Sequence, residues 1–295
     1  MTPEAAAERS QVRAVRNSIA WEKILKVVAI VLLVVGSIIF LVPFLSALNM
    51  SLKSEAELKT TSAWALAQHP TLDNYKEVLN NPNVSFVQCF WNTFVIAFLT
   101  SLGVIISSSL VAYAFARLRF RGRDRLFLIM LSTMMLPTII TMIPTYLLFA
   151  QLRWINTFYP LIVPAWFGGG AFNIFLLRQF FMSVPRELDE AALLDGASHF
   201  TIWRRIIMPL SKTALATVGV FAFIFNWRDF LAPLIYLNDP HKQTLELGLQ
   251  TFNAAQQQKY HLLMAGSVLV MLPLVLIFFL GQRYFVKGIV MSGIK

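Results

Sequence analysis

Val27-Val-Ala-Ile-Val-Leu-Leu-Val-Val-Gly-Ser-Ile-Ile-Phe-Leu-Val-Pro-Phe-Leu-Ser-Ala-Leu-Asn-Met50 runs for 24 residues without a charge. An α-helix rises about 1.5 Å per residue, so about 20 such residues cross the hydrocarbon core of a bilayer. A secretory signal has a shorter apolar stretch, about 7–15 residues, followed by a small-residue cleavage site. This block ends instead in Pro43-Phe44-Leu45 and Asn49-Met50, and it is read as an uncleaved first helix. The composition extends that reading to the whole chain. Of its 295 residues 57% are hydrophobic and 14% charged, with a mean hydropathy of +0.64. Soluble domains carry about 25% charged residues, so this chain has too few to cover a water-facing surface.

Five more apolar blocks follow. Backbone amides inside a bilayer must be satisfied within their own segment, so each block is read as a helix. The six spans are placed at 27–48, 91–116, 126–150, 158–181, 213–236 and 262–282, the second opening at interfacial Trp91. The expected fold class is an all-α integral membrane protein. Residues 1–26 form a basic cytoplasmic segment and 27–295 a single transmembrane domain. The lone cysteine, Cys89, excludes an intramolecular disulfide. No His/Cys cluster has metal spacing, and no cofactor is expected.

Charge sets the expected orientation. Segments 1–26, 117–125, 178–212 and 283–295 hold eighteen Lys and Arg, against six in 51–90, 151–157 and 237–261. Basic residues accumulate on the cytoplasmic side, so the first set is assigned there and both termini with it. The formal net charge of +10 is therefore read as topology rather than nucleic-acid binding. The run Arg117-Leu-Arg-Phe-Arg-Gly-Arg-Asp-Arg125 casts the strongest local vote; a lipid-headgroup or nucleic-acid patch is its alternative reading.

The connection 183–212 is more than a loop. Pro185 suits a first helical turn, and Glu187, Asp189 and Glu190 suit the positive end of a helix dipole. Leu188, Ala191, Ala192 and Leu194 give an apolar stripe, Gly196 a C-terminal turn and Ser198 a cap for a second helix. That helix carries Phe200, Ile202, Trp203, Ile206 and Ile207 and is expected to stop before Pro209. Such a pair either lies on the membrane or inserts into a groove on a soluble partner.

Glu190-Ala191-Ala192, three residues, Gly196, nine residues and then Ile206-x-Met208-Pro209 resembles the signature loop of bacterial ABC-importer permeases. The family pattern has Leu where Met208 stands, a soft apolar exchange. Over residues 25–295 the chain is similar to the smaller, maltose-permease-type subunits of the carbohydrate-uptake branch. Ser51-Leu-Lys, Leu72-Asp-Asn-Tyr75, Ala112-Tyr-Ala-Phe-Ala-Arg117, Asn226-Trp-Arg-Asp-Phe-Leu-Ala-Pro-Leu234 and Gln282-Arg-Tyr-Phe-Val-Lys-Gly288 carry that likeness. The resemblance implies a type I importer core in the inner membrane and a second, homologous permease. It also implies two nucleotide-binding ATPases and an extracytoplasmic solute-binding protein. Residues 183–212 would then couple ATPase closure to alternating access.

Two polar constellations in the spans are candidates for the translocation path. Thr138, Thr141 and Thr145 share one face of the third span, with Pro137 and Pro144 a heptad apart; their hydroxyls either line a wet path or bond their own helix. In the fifth, Asn226, Trp227 and Asp229 offer an aromatic platform and hydrogen-bonding groups for a sugar, or else glue between helices. In maltose-type systems the sister subunit supplies the main sugar site, which the resemblance carries over as a caution. The chain has no Gly-x-x-x-x-Gly-Lys-[Ser/Thr] loop, so ATP hydrolysis is assigned to a partner and no enzyme activity is expected. The competing reading is an ion-coupled secondary transporter. It calls for buried carboxylates or an inverted repeat, and only Asp229 answers the first.

Overall fold

A computed structural model describes residues 3–82, 84–254 and 259–292. Helix α1 (Pro3–Ser51) is continuous, and its apolar stretch is open along its whole length, with Leu33 70% and Phe40 78% exposed. So large an apolar surface suits lipid or a partner, not water. Its end is locked to a small platform built from α2 (Glu55–Thr60) and α3 (Asp73–Leu79). Asn74, which is buried, donates to Ser51 O and Lys53 O, both at 2.7 Å. The Ser51 and Tyr75 hydroxyls meet at 2.6 Å, and fully buried Lys53 donates to Ser62 O at 2.9 Å. Ser51-Leu-Lys and Leu72-Asp-Asn-Tyr75 are thus two halves of one hydrogen-bonded joint. Asn74→Ala orphans both carbonyls and is expected to cost about 2–3 kcal/mol, read as a lower Tm of the purified chain; an unchanged Tm would show that the platform does not hold α1.

Helix α4 (Phe86–Arg117) is the hub, capped at its start by Ser85, whose hydroxyl accepts from Gln88 N. Its buried face carries Thr93, Ala97, Thr100, Ser101, Gly103, Ser107, Ser108, Ala112 and Ala116. Lipid tails are as apolar as leucine, so helices in a bilayer associate through close packing and hydrogen bonds, which small and hydroxyl residues permit.

The third apolar block breaks instead of crossing as one helix. After α5 (Arg123–Ser132) and a 3-10 turn at Thr133–Met135, α6 (Thr138–Gln151) leaves at 98°. Pro137 lacks an amide hydrogen and pushes Leu136 to an extended conformation, φ −77° and ψ 118°. The single span expected at 126–150 is therefore broken in two.

The fourth block is cut twice, into α7 (Tyr159–Ile162), α8 (Ala165–Gly168) and α9 (Ala171–Ser183). The hydroxyl of Thr100 donates to Leu161 O at 3.0 Å and that of Ser107 to Ala165 O at 2.7 Å. Asn173 Nδ2 donates to Gly169 O at 2.7 Å. These bonds satisfy carbonyls that the interruptions would leave bare in hydrocarbon. Gly169 has φ +60° and lies so near α4 that a Cβ there would fall 2.6 Å from Ser108 N.

Between the fourth and fifth blocks lie α10 (Glu187–Leu194), α11 (His199–Ile202) with a π turn at Trp203–Ile207, and α12 (Met208–Leu210). The chain turns by 82° into α13 (Lys212–Trp227). The fifth span expected at 213–236 ends early. Arg228–Phe230 interrupts it, and Asp229 accepts from Ala232 N at 3.2 Å in the first turn of α14 (Leu231–Tyr236). Helix α15 (Leu245–Ala254) follows, and α16 (Tyr260–Ser292) continues past residue 282, where the last span was expected to close. Among the described residues, four segments are long and apolar enough to cross a membrane: Lys23–Ser51, Phe86–Arg117, Tyr159–Ser183 and Tyr260–Gln282. Counting each bent pair, Arg123–Met135 with Thr138–Gln151 and His199–Leu210 with Lys212–Trp227, brings the total to six.

Two buried clusters stack along α4. One joins Ala112, Tyr113 and Ala116 to Leu177, Phe181, Ile202, Ile207 and Val218. The other joins Phe86, Cys89 and Ala97 to Phe223, Trp227, Leu245, Leu262 and Ala265. At the far end, Asn156 ties two loops together: its side-chain oxygen accepts from Asn238 N and Asp239 N, and Lys242 Nζ donates to its carbonyl at 2.7 Å.

Candidate functional site

The helix–glycine–helix segment folds as its residue types dictate. Helix α10 opens with three carboxylates, Glu187, Asp189 and Glu190, at the dipole's positive end. It closes in a Schellman turn: Gly196, at φ +80°, donates to Leu193 O at 3.0 Å and Ala197 N to Ala192 O at 2.9 Å. Ser198 accepts from Thr201 N at 3.2 Å and caps α11. Two details differ from the sequence reading. Pro185 precedes the N-cap, Arg186, rather than sitting in the first turn. The second helix does not stop before Pro209 but runs through it to Leu210. The π turn sends Met208 N to Trp203 O, and Pro209 falls at the start of a new turn, where no amide hydrogen is needed.

The segment is seated on the ends of α4 and α9. Ala192, Ala197, Ile206 and Met208 pack on the buried cluster around Phe181, Ile202 and Ile207. Glu190, Ala191, Gly196 and Pro209 lie on the open side. Leu188, Leu193 and Leu194 are 42%, 44% and 90% exposed, leaving α10 with an uncovered apolar edge. Glu190, Ala191, Ala192, Gly196, Ile206 and Pro209 are thus brought into one element but divided between its seat and its free face.

Arg117 holds this seat. The last residue of α4, its side chain is 3% exposed; Nη2 donates to Phe181 O and Val184 O, both at 2.7 Å, and Nε lies 3.4 Å from Asp189 Oδ2. One guanidinium therefore caps the end of α9 and anchors α10. Burial pushes the Asp189 carboxyl above the ordinary carboxylate range, with the charges of Arg117, Arg186 and His199 opposing. The Tyr113 hydroxyl reaches toward His199 Nδ1 at 3.5 Å. Arg178 sits 4.1 Å from the centre of the Phe127 ring, drawing α5 against α9. Sequence reasoning placed Arg117 in the basic run that votes on topology and in the family-like stretch Ala112–Arg117, and gave it no role in seating α10. The signal that could have singled it out is its position, closing an apolar helix while the other arginines of the run follow it.

The path candidates divide. Trp227 is 1% exposed and wedged among Phe90, Phe223 and α16, with its indole N–H donated to Val270 O at 3.1 Å. The ring thus packs helices together. It also contributes to the lining of an apolar cavity of about 550 Å³, together with Phe90, Phe94, Phe223, Leu272 and Pro273. Asn226 Nδ2 donates to Ala222 O in its own helix. Thr141 and Thr145 bond Thr138 O and Thr141 O at 2.9 and 2.7 Å, the intrahelical alternative, while Thr138 and Thr141 stay exposed. The three threonines share one face of α6; Asn226 and Asp229 lie at the end of α13. Among the described residues no group of three His, Cys, Asp or Glu side chains is placed to hold a metal.

Comparison with known proteins agrees with this architecture. Over 266 residues the chain is 34% identical to the sn-glycerol-3-phosphate transport system permease protein UgpE of Brucella abortus, covering 88% of this chain and 94% of the relative. It is 32% identical to the arabinooligosaccharides transport system permease protein AraQ of Bacillus subtilis, over 88% and 92% of the two chains. A chain of a bacterial ABC transporter involved in importing the acidic polysaccharide alginate superimposes with a TM-score of 0.79. It is 25% identical and covers 89% of this chain and 97% of that one. Residues 103–291 match the family described as binding-protein-dependent transport system inner membrane component, and the chain belongs to that family.

Proposed function

We propose that this chain lines half of the path of an ATP-driven importer for a sugar or oligosaccharide. In this reading both termini face the cytoplasm, and residues 183–212 form the element that a partner ATPase grips. A second permease completes the path, and an extracytoplasmic binding protein delivers the solute. The observation that carries the reading is α10: a short helix with one face seated by Arg117 and the core, and the other left as an apolar leucine edge. Helix-in-groove docking needs such an arrangement. A seat made of buried side chains and backbone carbonyls passes a push on α10 directly into α4 and α9. The solute class is supported by relatives named for arabinooligosaccharides and alginate.

Glu190→Lys and Gly196→Val are the test, made in the complex purified with its ATPase. Valine at φ +80° breaks the Schellman turn. Solute-stimulated ATP hydrolysis and uptake into proteoliposomes are expected to fall more than about tenfold while the chain stays inserted. Wild-type uptake by both variants would remove the coupling assignment.

A further inference from the structure

A cavity of about 530 Å³ opens where the turn between α4 and α5 meets the residues leading into α10. Arg119, Arg123, Arg125 and Arg186 line it, with Asp124 as the only carboxylate and Phe120 beside them. Asp124 is engaged by Arg123 at 2.9 Å, and that pairing holds its carboxyl below the usual range. Among the described residues the side chains of Arg119, Arg125 and Arg186 are exposed and make no hydrogen bond or salt bridge, although the charge of Arg186 is felt by Asp189. Four guanidinium groups against one neutralised carboxylate make a concave, strongly positive site.

We infer that this cavity binds a phosphate group, supplied by the headgroup of an anionic phospholipid. Guanidinium groups are planar forks that meet phosphate oxygens two at a time. The first turn of α5, Arg123 to Arg125, contributes three of the residues that line the cavity. The surroundings select a lipid over a soluble phosphate. Phe120 is 41% exposed at the rim, and within one turn the cavity gives way to Leu126, Leu128 and Ile129, all more than half exposed. A charged pocket bordered at once by open apolar surface matches the boundary between headgroups and acyl chains. Anionic lipids of the cytoplasmic leaflet attract basic clusters there; the choice of leaflet rests on the orientation proposed above. Arg186 belongs to this cavity and is also the N-cap of α10, so a lipid held here would steady the start of the ATPase-facing helix.

The test uses the assembled complex in nanodiscs of phosphatidylglycerol and phosphatidylcholine, with lipids retained after detergent extraction counted by native mass spectrometry. Wild type is expected to retain phosphatidylglycerol in preference to phosphatidylcholine. Arg125→Gln with Arg186→Gln is expected to lower that retention more than about tenfold, with elution volume unchanged. Equal retention of the two lipids by wild type, or undiminished retention in the double variant, would overturn the assignment. So would displacement of the lipid by millimolar inorganic phosphate, which would make the ligand a soluble anion. Loss of the ATPase from the double variant with lipid retention intact would assign these arginines to the ATPase surface instead. The readout is lipid rather than transport, so it stands or falls apart from the coupling assignment.

Discussion

Replacing Arg117 with methionine is expected to abolish coupled transport and to destabilise the chain by about 2–6 kcal/mol, from two buried carbonyls left without a donor at about 1–3 kcal/mol each. The side chain fits, but Phe181 O and Val184 O lose their donor and the Asp189 carboxylate its charged neighbour together. Asp189→Asn is expected to do far less. Burial already pushes that carboxyl toward its neutral form, the amide is neutral at every pH, and Arg117 keeps both carbonyls. Thermal unfolding followed by elution profile, beside ATP hydrolysis with and without solute, separates the two variants. Equal damage from both would mean that the ion pair, rather than the carbonyl clamp, seats α10.

Gly169→Val is the second large effect. Its Cβ would stand 2.6 Å from Ser108 N and 2.7 Å from Ser108 Cβ, atoms belonging to the α4 backbone or joined directly to it. A left-handed conformation costs a non-glycine residue about 1–2 kcal/mol, and overpacking adds about 1–3 kcal/mol. Nothing flexible is available to move aside, so little folded chain should be recovered from membranes. Gly168 is the control: a Cβ there meets nothing within 4 Å, and Gly168→Ala should be recovered like wild type. If Gly169→Val folds normally, α8 and α9 do not pack on α4 as closely as described.

How much of this was legible in the sequence follows from what hydropathy measures. The blocks at 27–48, 91–116 and 262–282 fall within unbroken helices, and 158–181 within a helical segment interrupted twice, because a long apolar run has few alternatives in a bilayer. The Gly196 turn and the Ser198 cap were readable because each depends on a local property of one residue. The break at Leu136–Pro137 and the interruption at Arg228–Phe230 were not, because both lie in stretches apolar enough to pass for one span. Trp227 and Arg117 were hidden for another reason. Each is defined by an acceptor far away in sequence, Val270 O for the indole and Phe181 O and Val184 O for the guanidinium. No window along the chain reports that.

The hydroxyl bonds from α4 to the interrupted fourth segment also bear on how the protein is made. Leu161 O and Ala165 O have their acceptor needs met by Thr100 and Ser107, residues synthesised well before them. Released from the ribosome alone, α7 and α8 would carry bare carbonyls into lipid at a cost of several kcal/mol per group. The fourth segment is therefore expected to leave the insertion channel beside an α4 already in place, and a chain lacking α4 is expected to leave it at the interface.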